Sequence, residues 1–300
     1  MVEALKYIWM DGKFVSWFDA EVHVLTHTLH YGTGVFEGIR CYNTVKGSAI
    51  FRNKEHYERL FNSAKIVKKE IPFSAQQLMK ASKELVKKNK VKECYIRPIV
   101  YLGYGPMGVN TFDCPVNVSI IAWPWGAYLG KGALDKGVKT IISSFKRHHG
   151  FLNSAKICGN YYISSLAKRE ALEKGADECI MLDDRGFVAE GSGENIFIIK
   201  DGTIKTPELG SVLPGITRAS IIQLARDLDF RVKEKNFTKE ELLEADEAFF
   251  TGTAAELTPI EKVDSKDLGG RGPITEELQK KFFEIVNGKN EKYINWLDFI

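Results

Sequence analysis

One lysine in the second half of the sequence stands among small and apolar neighbours. Lys156 lies in the segment Asn153-Ser-Ala-Lys-Ile-Cys-Gly-Asn-Tyr161, and its nearest acidic neighbours along the chain are Asp135 and Glu170. A lysine removed from water has a lowered pKa and can act as a neutral amine nucleophile. The segment therefore allows a nucleophilic lysine, although taken alone it favours an ordinary loop lysine.

Three further segments carry residues that suit an anionic ligand or a developing charge. Glu190 ends a hydrophobic stretch before the glycine turn of 187–197, a pattern that a hairpin with a surface carboxylate also produces. Residues 213–218, Leu-Pro-Gly-Ile-Thr-Arg, run into an amphipathic pattern. Free backbone N–H groups at such a helix start suit a phosphate, although a plain start capped by Thr217 fits as well. Residues 251–256 place hydroxyls and small side chains at a strand end.

The combination of these four segments indicates one cofactor. The aldehyde of pyridoxal phosphate needs an amine, its pyridine nitrogen needs an anion, and its phosphate needs fixed donors. Lys156, Glu190 and the two hydroxyl-bearing turns supply these groups. P-loop, HExxH and GxSxG motifs are absent from the sequence, and no GxGxxG motif opens a predicted helix.

A second pattern, of histidines, has the spacing of metal ligands. His23, His27 and His30 stand at i, i+4 and i+7. Their run is rich in β-branched residues and lacks a carboxylate, which favours packing in a strand and loop, so no metal site is predicted.

Hydrophobic periodicity predicts the elements that must position these residues. In the first part it indicates helices over 53–69 and from Ser74 to about 88, with strands at 7–9, 21–25, 95–102 and 116–122. In the second part of the chain, predicted strands at 138–143, 178–182, 195–199 and 248–251 alternate with predicted helices at 161–173, 217–228, 239–243 and 275–286. The glycine-rich stretch 123–133 predicts a linker between a small N-terminal α/β domain, 1–122, and a larger C-terminal α/β domain, 134–300, that carries Lys156.

Composition excludes several classes of protein. The 300 residues carry a net charge of +3, with 44% hydrophobic and 27% charged residues, so a disordered chain and a nucleic-acid-binding protein are not expected. No apolar run is long enough to span a membrane, and the N-terminus lacks a secretory signal pattern. Five widely spaced cysteines favour reduced thiols and a cytoplasmic location.

An ordered series of motifs resembles the branched-chain amino acid aminotransferases. The matching segments are HYGTGVFEGIRCY (30–42), YIRP (95–98), PMGVN (106–110), WPWGAYLG (123–130), AKICGNYY (155–162), EGSGENIF (190–197), LPGITR (213–218) and TGTAAE (251–256). The resemblance implies an α/β (α+β), two-domain fold of the D-amino-acid-aminotransferase-like class, fold type IV of the pyridoxal phosphate enzymes, with the cofactor between the domains. The basic segment 146–153 does not map onto the family pattern.

The resemblance also implies roles for the cofactor residues. Lys156 forms the Schiff base and moves the proton between the substrate Cα and C4′. Tyr161 donates to the phenolic oxygen, and Glu190 pairs with the pyridinium nitrogen. The phosphate ligands are Arg59, Ile216, Thr217 and Thr253.

The substrate residues follow from the same resemblance. It assigns the apolar pocket to Phe36, Tyr31, Trp125 and Val109, of which Tyr31 and Val109 act across a subunit boundary. Thr253 and Ala254 bind the α-carboxylate. Tyr95 and Arg97 admit the second carboxylate of glutamate. When an aliphatic chain is bound instead, Tyr31 and Tyr128 cover the charge of Arg97.

The implied reaction is reversible, ping-pong transfer of an amino group between L-leucine, L-isoleucine or L-valine and 2-oxoglutarate, by a homodimer or a trimer of dimers. A D-amino acid aminotransferase or an aminodeoxychorismate lyase would share the cofactor residues, while YIRP and PMGVN favour the branched-chain reaction. A vitamin-binding protein without activity and a histidine-triad metal protein are the alternatives from other classes.

Overall fold

The computed structural model describes residues 2–126, 129–130 and 132–300. Contacts divide these residues into two compact units. The first unit holds the described residues up to Gly126 together with Ala155–Asn160 and Ile285–Ile300. The second holds the described residues from 129 to Ser154 together with Tyr161–Glu284. By contacts Lys156 therefore groups with the first unit. The domain boundaries predicted above stay a prediction, because contact density alone defines these units.

The described residues form helices and strands in alternation along the chain. The helices are α1 (His27–Tyr31), α2 (Asn53–Ile66), α3 (Ala75–Asn89), α4 (Ala133–Lys136), α5 (Tyr161–Glu173), α6 (Ile216–Asp227), α7 (Lys239–Leu243) and α8 (Pro273–Val286). The strands are β1 (Tyr7–Met10), β2 (Lys13–Ser16), β3 (Val35–Phe36), β4 (Ile39–Thr44), β5 (Gly47–Phe51), β6 (Cys94–Leu102), β7 (Val116–Trp123), β8 (Val138–Arg147), β9 (Glu178–Asp183), β10 (Val188–Glu190), β11 (Asn195–Lys200), β12 (Thr203–Thr206), β13 (Arg231–Glu234), β14 (Glu247–Gly252), β15 (Glu256–Val263), β16 (Lys266–Asp267) and β17 (Leu297–Phe299).

The first unit is built on an antiparallel sheet. Its strand order is β17-β5-β4-β6-β7-β1-β2, and β3 pairs with β6. The chain's end returns to this sheet, because Leu297 pairs with Phe51. The antiparallel pairing of β3 with β6 sets Phe36 opposite Ile99, near the YIRP segment.

Helices α2 and α3 contribute buried side chains to the core of the first unit. Leu60 and Ala64 of α2 and Leu78 and Leu85 of α3 belong to the same buried cluster as Ile39 and Ile96 of the sheet. Burial of each such leucine stabilises the fold by about 1.5–3 kcal/mol. Ser74 caps α3 reciprocally with Gln77, which fixes where that helix begins.

The second unit is built on a mixed sheet with the order β10-β9-β8-β15-β14-β11-β12-β13. Strand β8 pairs in parallel with both β9 and β15, while β14 runs antiparallel to β11 and β15. Strands β10 and β11 also pair at Glu190 and Asn195, on either side of the glycine turn. The buried cluster of this unit contains Ile180, Ile196, Phe250 and Ile260.

Most predicted elements appear within a few residues of their predicted ends, and one is wrong. Residues 21–25 form no strand. The Leu25 N–H donates to Nδ1 of His23, and the Thr26 N–H donates to the His23 carbonyl, so the backbone turns here. The histidine run that was expected in strand and loop instead enters α1 at His27. Among the described residues, no helix combines the length and the apolar character that a membrane span needs.

Candidate active site

The backbone of Lys156 is tied to β3 and α2. The Lys156 N–H donates to Oγ of Ser63 over 3.0 Å, and its carbonyl accepts from the Phe36 N–H over 3.1 Å. One residue further on, Ile157 bridges to Val35. These bonds hold the lysine at one end of the short strand that carries Phe36.

The Lys156 side chain is partly buried, and its surroundings favour the neutral amine. Its Nζ lies 4.9 Å from the centroid of the Phe36 ring. Burial, followed by the positive charge of Arg59, lowers the pKa of Lys156 to about 8, although Glu37 opposes the change. This amine therefore loses its proton more readily than that of an exposed lysine, which favours its action as a nucleophile.

A buried carboxylate organises the charges beside Lys156. Glu37 is fully buried, and it accepts from Nε and Nη2 of Arg59 over 2.7 and 2.8 Å. His56 lies 2.7 Å away through Nδ1. Burial alone would raise the pKa of Glu37, but Arg59 and the bonds from Arg59 and His56 hold it well below the usual range. Burial also lowers the pKa of His56 and outweighs the opposing bond to Glu37.

The sequence interpretation missed Glu37 and His56. An acid inside the apolar run Val-Phe-Glu-Gly-Ile needs a partner when buried, and His56 and Arg59 stand three residues apart on a predicted helix. Because Glu37 already binds two nitrogens of Arg59, the predicted bond from Arg59 to a phosphate stays a prediction.

The Arg97 guanidinium lies close to the rings of both Phe36 and Tyr95 in the first unit. Cζ of Arg97 lies 4.7 Å from the Phe36 ring centroid, and the Tyr95 and Trp125 rings stack at 4.9 Å. Nε of Arg97 is buried without a hydrogen-bond partner. A Cβ on Gly38 would come within 1.8 Å of the Tyr95 hydroxyl oxygen, so only glycine permits this ring position.

The remaining predicted substrate residues of the first unit lie on its surface. Tyr31 is 44% exposed at the end of α1, and Val109 is 92% exposed in the segment between β6 and β7. The structure does not bring either side chain to Lys156 by any contact within the unit. Tyr128 lies outside the described residues.

Glu190 is held by three groups in the second unit. Its Oε1 lies 3.0 Å from Nε of Arg147, and its Oε2 accepts from the Leu213 N–H and from Nδ2 of Asn195 over 3.1 and 3.3 Å. The positive charge of Arg147 and the two N–H donors stabilise an ionised carboxylate, which suits a partner for a protonated pyridine. The unmapped segment 146–153 thus contributes Arg147, whose role sequence analysis did not anticipate.

The segment before α6 contacts Glu190 through the Leu213 N–H and leads directly to the N-terminus of α6. Nδ2 of Asn195 also donates to the Leu213 carbonyl over 2.9 Å. A Cβ on Gly215 would approach Oδ1 of Asn195 to 2.0 Å, so glycine is required there. Helix α6 starts at Ile216 with no side-chain cap, and Thr217 is buried in its first turn. Uncapped N–H groups and a hydroxyl suit a phosphate.

The other predicted residues of the second unit stand at ends of elements. Thr253 and Ala254 form the turn between β14 and β15, and Tyr161 begins α5. Gly252, just before that turn, lies close to the Gly193 carbonyl. The β14 end and the glycine turn after Glu190 are therefore neighbours.

The donor set fits pyridoxal phosphate in chemical kind. It offers a lysine amine with a lowered pKa, a carboxylate held by an arginine, and an uncapped helix start with a buried hydroxyl. In the described part of the chain, the histidine, cysteine, aspartate and glutamate side chains form no group of three or more suited to a metal ion.

Comparison with known proteins identifies relatives over nearly the whole chain. The amino-transferase class IV family model matches residues 34–263. A branched-chain-amino-acid aminotransferase of Pseudomonas aeruginosa is 52% identical over 293 residues, which are 96% of this chain and 95% of that protein.

Two solved structures are similar throughout. The branched-chain amino acid aminotransferase of Escherichia coli gives a TM-score of 0.96 at 45% identity, covering 98% of this chain and 99% of that one. A branched-chain amino acid aminotransferase from T.th. complexed with N-(5'-phosphopyridoxyl)-L-glutamate gives 0.93 at 44% identity, covering 100% of this chain and 99% of that one. The same T.th. enzyme has also been solved with pyridoxamine 5'-phosphate. The family, the fold class and the cofactor predicted from the sequence are confirmed.

Proposed function

The chain belongs to the class IV aminotransferases, and from this membership we propose that it transfers the amino group between L-leucine, L-isoleucine or L-valine and 2-oxoglutarate. The observation that carries the proposal is the position of the Phe36 ring. The Lys156 amine lies 4.9 Å from it and the Arg97 guanidinium 4.7 Å from it. An apolar surface beside both an amine and a cation suits an aliphatic chain and, in turn, an acidic one.

Four residues are proposed to handle the reacting centre. Bound pyridoxal phosphate supplies an aldehyde and a pyridinium electron sink. The Lys156 amine would hold the bound cofactor at its aldehyde carbon and would carry the proton to and from the substrate Cα. Glu190, held by Arg147, keeps a negative charge at the pyridine nitrogen. Tyr161 donates to the phenolic oxygen.

The phosphate and the substrate are assigned to separate groups. Donors to the phosphate are the N–H groups at the start of α6, the hydroxyls of its first turn and of the β14–β15 turn, and one arginine; these residues are Arg59, Ile216, Thr217 and Thr253. Thr253 and Ala254 also receive the substrate α-carboxylate.

The side-chain pocket is assigned to the aromatic surface around Phe36. Tyr95 and Trp125 line it, and Arg97 binds the second carboxylate of glutamate. Its buried Nε, which has no partner, supports that assignment. A relative's structure with a phosphopyridoxyl-glutamate adduct supports glutamate as the other substrate. Tyr128 is assigned here from the family pattern alone.

Tyr31 and Val109 are assigned to the pocket of a neighbouring subunit. Both are exposed apolar side chains on their own unit, and a second copy would bury them. We propose a homodimer, or a trimer of dimers, in the cytoplasm; five free cysteines support a reducing compartment. Sedimentation equilibrium of the holoenzyme separates these states from a monomer, which would contradict the assembly.

A panel of amino donors with 2-oxoglutarate tests the proposed reaction. We expect L-leucine, L-isoleucine and L-valine to give glutamate with ping-pong kinetics, and D-leucine and D-alanine to give none. Preference for the D-isomers, or release of pyruvate from aminodeoxychorismate, would replace the proposal by one of the alternatives of the same fold. The control Lys156→Ala keeps its far-ultraviolet circular dichroism and loses turnover.

A further inference from the structure

His27 is a buried histidine whose two ring nitrogens both have partners. The residue is fully buried at the start of α1. Its Nε2 lies 2.7 Å from the Gly108 carbonyl oxygen, and its Nδ1 lies 3.1 Å from Oγ1 of Thr33. A carbonyl oxygen only accepts, so Nε2 carries a hydrogen and donates it to Gly108.

The same ring also supports an exposed aromatic side chain. The imidazole of His27 stacks on the Tyr31 ring with centroids 4.4 Å apart and an interplanar angle of 26°. Tyr31 is nearly half exposed, so this stacking limits how its ring can turn. His27 therefore contacts both the residue beside Val109 and Tyr31 itself.

The segment that carries Val109 is fixed on its other side by a lysine. Nζ of Lys69 donates to Oγ1 of Thr111 over 2.7 Å and to the Thr111 carbonyl over 3.0 Å. The backbone is thus bonded one residue before Val109 and two residues after it. Val109 stays 92% exposed between these two bonds.

We infer that His27 is a positioning residue for substrate selection: it sets Tyr31 and the Val109 segment in one fixed arrangement, which a neighbouring subunit uses as one wall of its side-chain pocket. This inference rests on the proposed function. It gives the histidine run a role other than metal binding. The ordinary alternative, a satisfied core histidine that affects only stability, predicts an unchanged KM for L-leucine in a folded His27→Phe variant.

Replacement of the ring by an isosteric one tests the hydrogen bonds. His27→Phe keeps the stacking on Tyr31 and loses both bonds. We expect the KM for L-leucine to rise by at least about fivefold, the equivalent of one net hydrogen bond, with kcat within about twofold. His27→Gln retains a donor at the position of Nε2 and should recover most of the wild-type KM. An unchanged KM in a folded His27→Phe variant overturns the inference.

His30→Phe is the matched control on the same helix. His30 also lies within bonding distance of a backbone carbonyl, that of Val24 at 2.8 Å, but its side chain is exposed. Hydrogen–deuterium exchange of the amides of 105–112 in the holoenzyme should become faster in His27→Phe and stay unchanged in His30→Phe. Equal exchange in the two variants contradicts the inference, and this measurement is independent of whether the wild type transfers leucine's amino group.

Mixed oligomers decide whether the wall acts in the neighbouring subunit. Co-expressed His27→Phe and Lys156→Ala chains with different affinity tags yield assemblies in which a working lysine can meet an intact wall from the other chain. We expect these assemblies to contain sites with the wild-type KM. A KM that stays raised in every mixed assembly contradicts action across the boundary. Absence of leucine transamination in the wild type would instead refute the proposed function.

Discussion

The charge on the Lys156 amine depends on a few neighbouring groups. Burial and Arg59 favour the neutral form, and the Glu37 carboxylate opposes them. Glu37 is itself bonded through both oxygens, which keeps Arg59 beside the amine. Together these groups hold the pKa of Lys156 well below that of an exposed lysine.

In the cofactor-free protein we therefore expect Lys156 to titrate near pH 8. Competitive labelling with a trace of acetic anhydride, followed by peptide mass analysis, gives the pH dependence of this one amine. Glu37→Gln should move the midpoint lower, because it removes the negative charge that favours the ammonium form. The control Glu58→Gln alters an exposed acid of α2 and should leave the midpoint unchanged. A Lys156 midpoint near that of an ordinary exposed lysine would contradict the description of the site.

Residue types alone predicted some site residues and not others. Lys156 and Glu190 stand out because their local sequence surroundings are unusual. Glu37 and Arg147 gain their importance from pairing with Arg59 and Glu190, which lie 22 and 43 positions away in the sequence. Such pairings depend on which elements become neighbours, and a local pattern does not specify them.

At the scale of elements, the turn between β10 and β11 carries a second buried acid. Glu194 has one oxygen that accepts from the Gly193 N–H over 3.0 Å and another without a hydrogen-bond partner. Burial first, and then the negative charge of Glu178, raise the pKa of Glu194 to about 8. Glu178 itself pairs with Lys168 at 2.7 Å. At neutral pH Glu194 is therefore largely protonated in the folded chain.

This raised pKa should make stability fall as the pH rises. The unfolded chain releases the Glu194 proton near pH 4.5 and the folded chain near pH 8, so the free energy of unfolding decreases between these values. Glu194→Gln should raise the melting temperature at pH 8–9, by the equivalent of about 1–3 kcal/mol, and change it little at pH 5.

Scanning calorimetry at the two pH values measures this effect. Glu173→Gln, at an exposed position of α5, is the control and should behave like the wild type at both. An equal change of the melting temperature at pH 5 and pH 9 in Glu194→Gln would show that proton binding at this turn is not the cause.

Elements with a clear hydrophobic periodicity could be predicted from the sequence. Elements that form only by pairing with a distant strand could not. Helix α5 was predicted at its observed bounds, since its periodic pattern continues without interruption. Residues 21–25 alternate between polar and apolar side chains, as a strand does. The Leu25 N–H instead donates to the His23 ring, and the backbone turns. Strand β17 forms by pairing with β5, with Leu297 opposite Phe51. No local sequence pattern predicts this pairing.

The described residues of the chain form two units, and each unit contains segments that lie far apart in the sequence. Residues 155–160 and 285–300 group with the first unit, through the bonds of Lys156 to β3 and the pairing of β17 with β5. The predicted domain boundaries rest on the glycine-rich stretch 123–133, which is visible in the sequence, whereas the pairing of β17 with β5 joins distant segments and has no local sequence pattern. The resemblance of ordered motifs predicted the fold better than any single element did.

The mass of the intact holoenzyme after borohydride reduction tests whether Lys156 carries the cofactor, because reduction converts the bond between a lysine amine and the cofactor aldehyde into a stable secondary amine. We predict one phosphopyridoxyl group per chain, located on the peptide that contains Lys156 and absent from Lys156→Ala. A group attached to another lysine, or spread over several surface lysines while Lys156 stays unmodified, would show that Lys156 does not hold the cofactor.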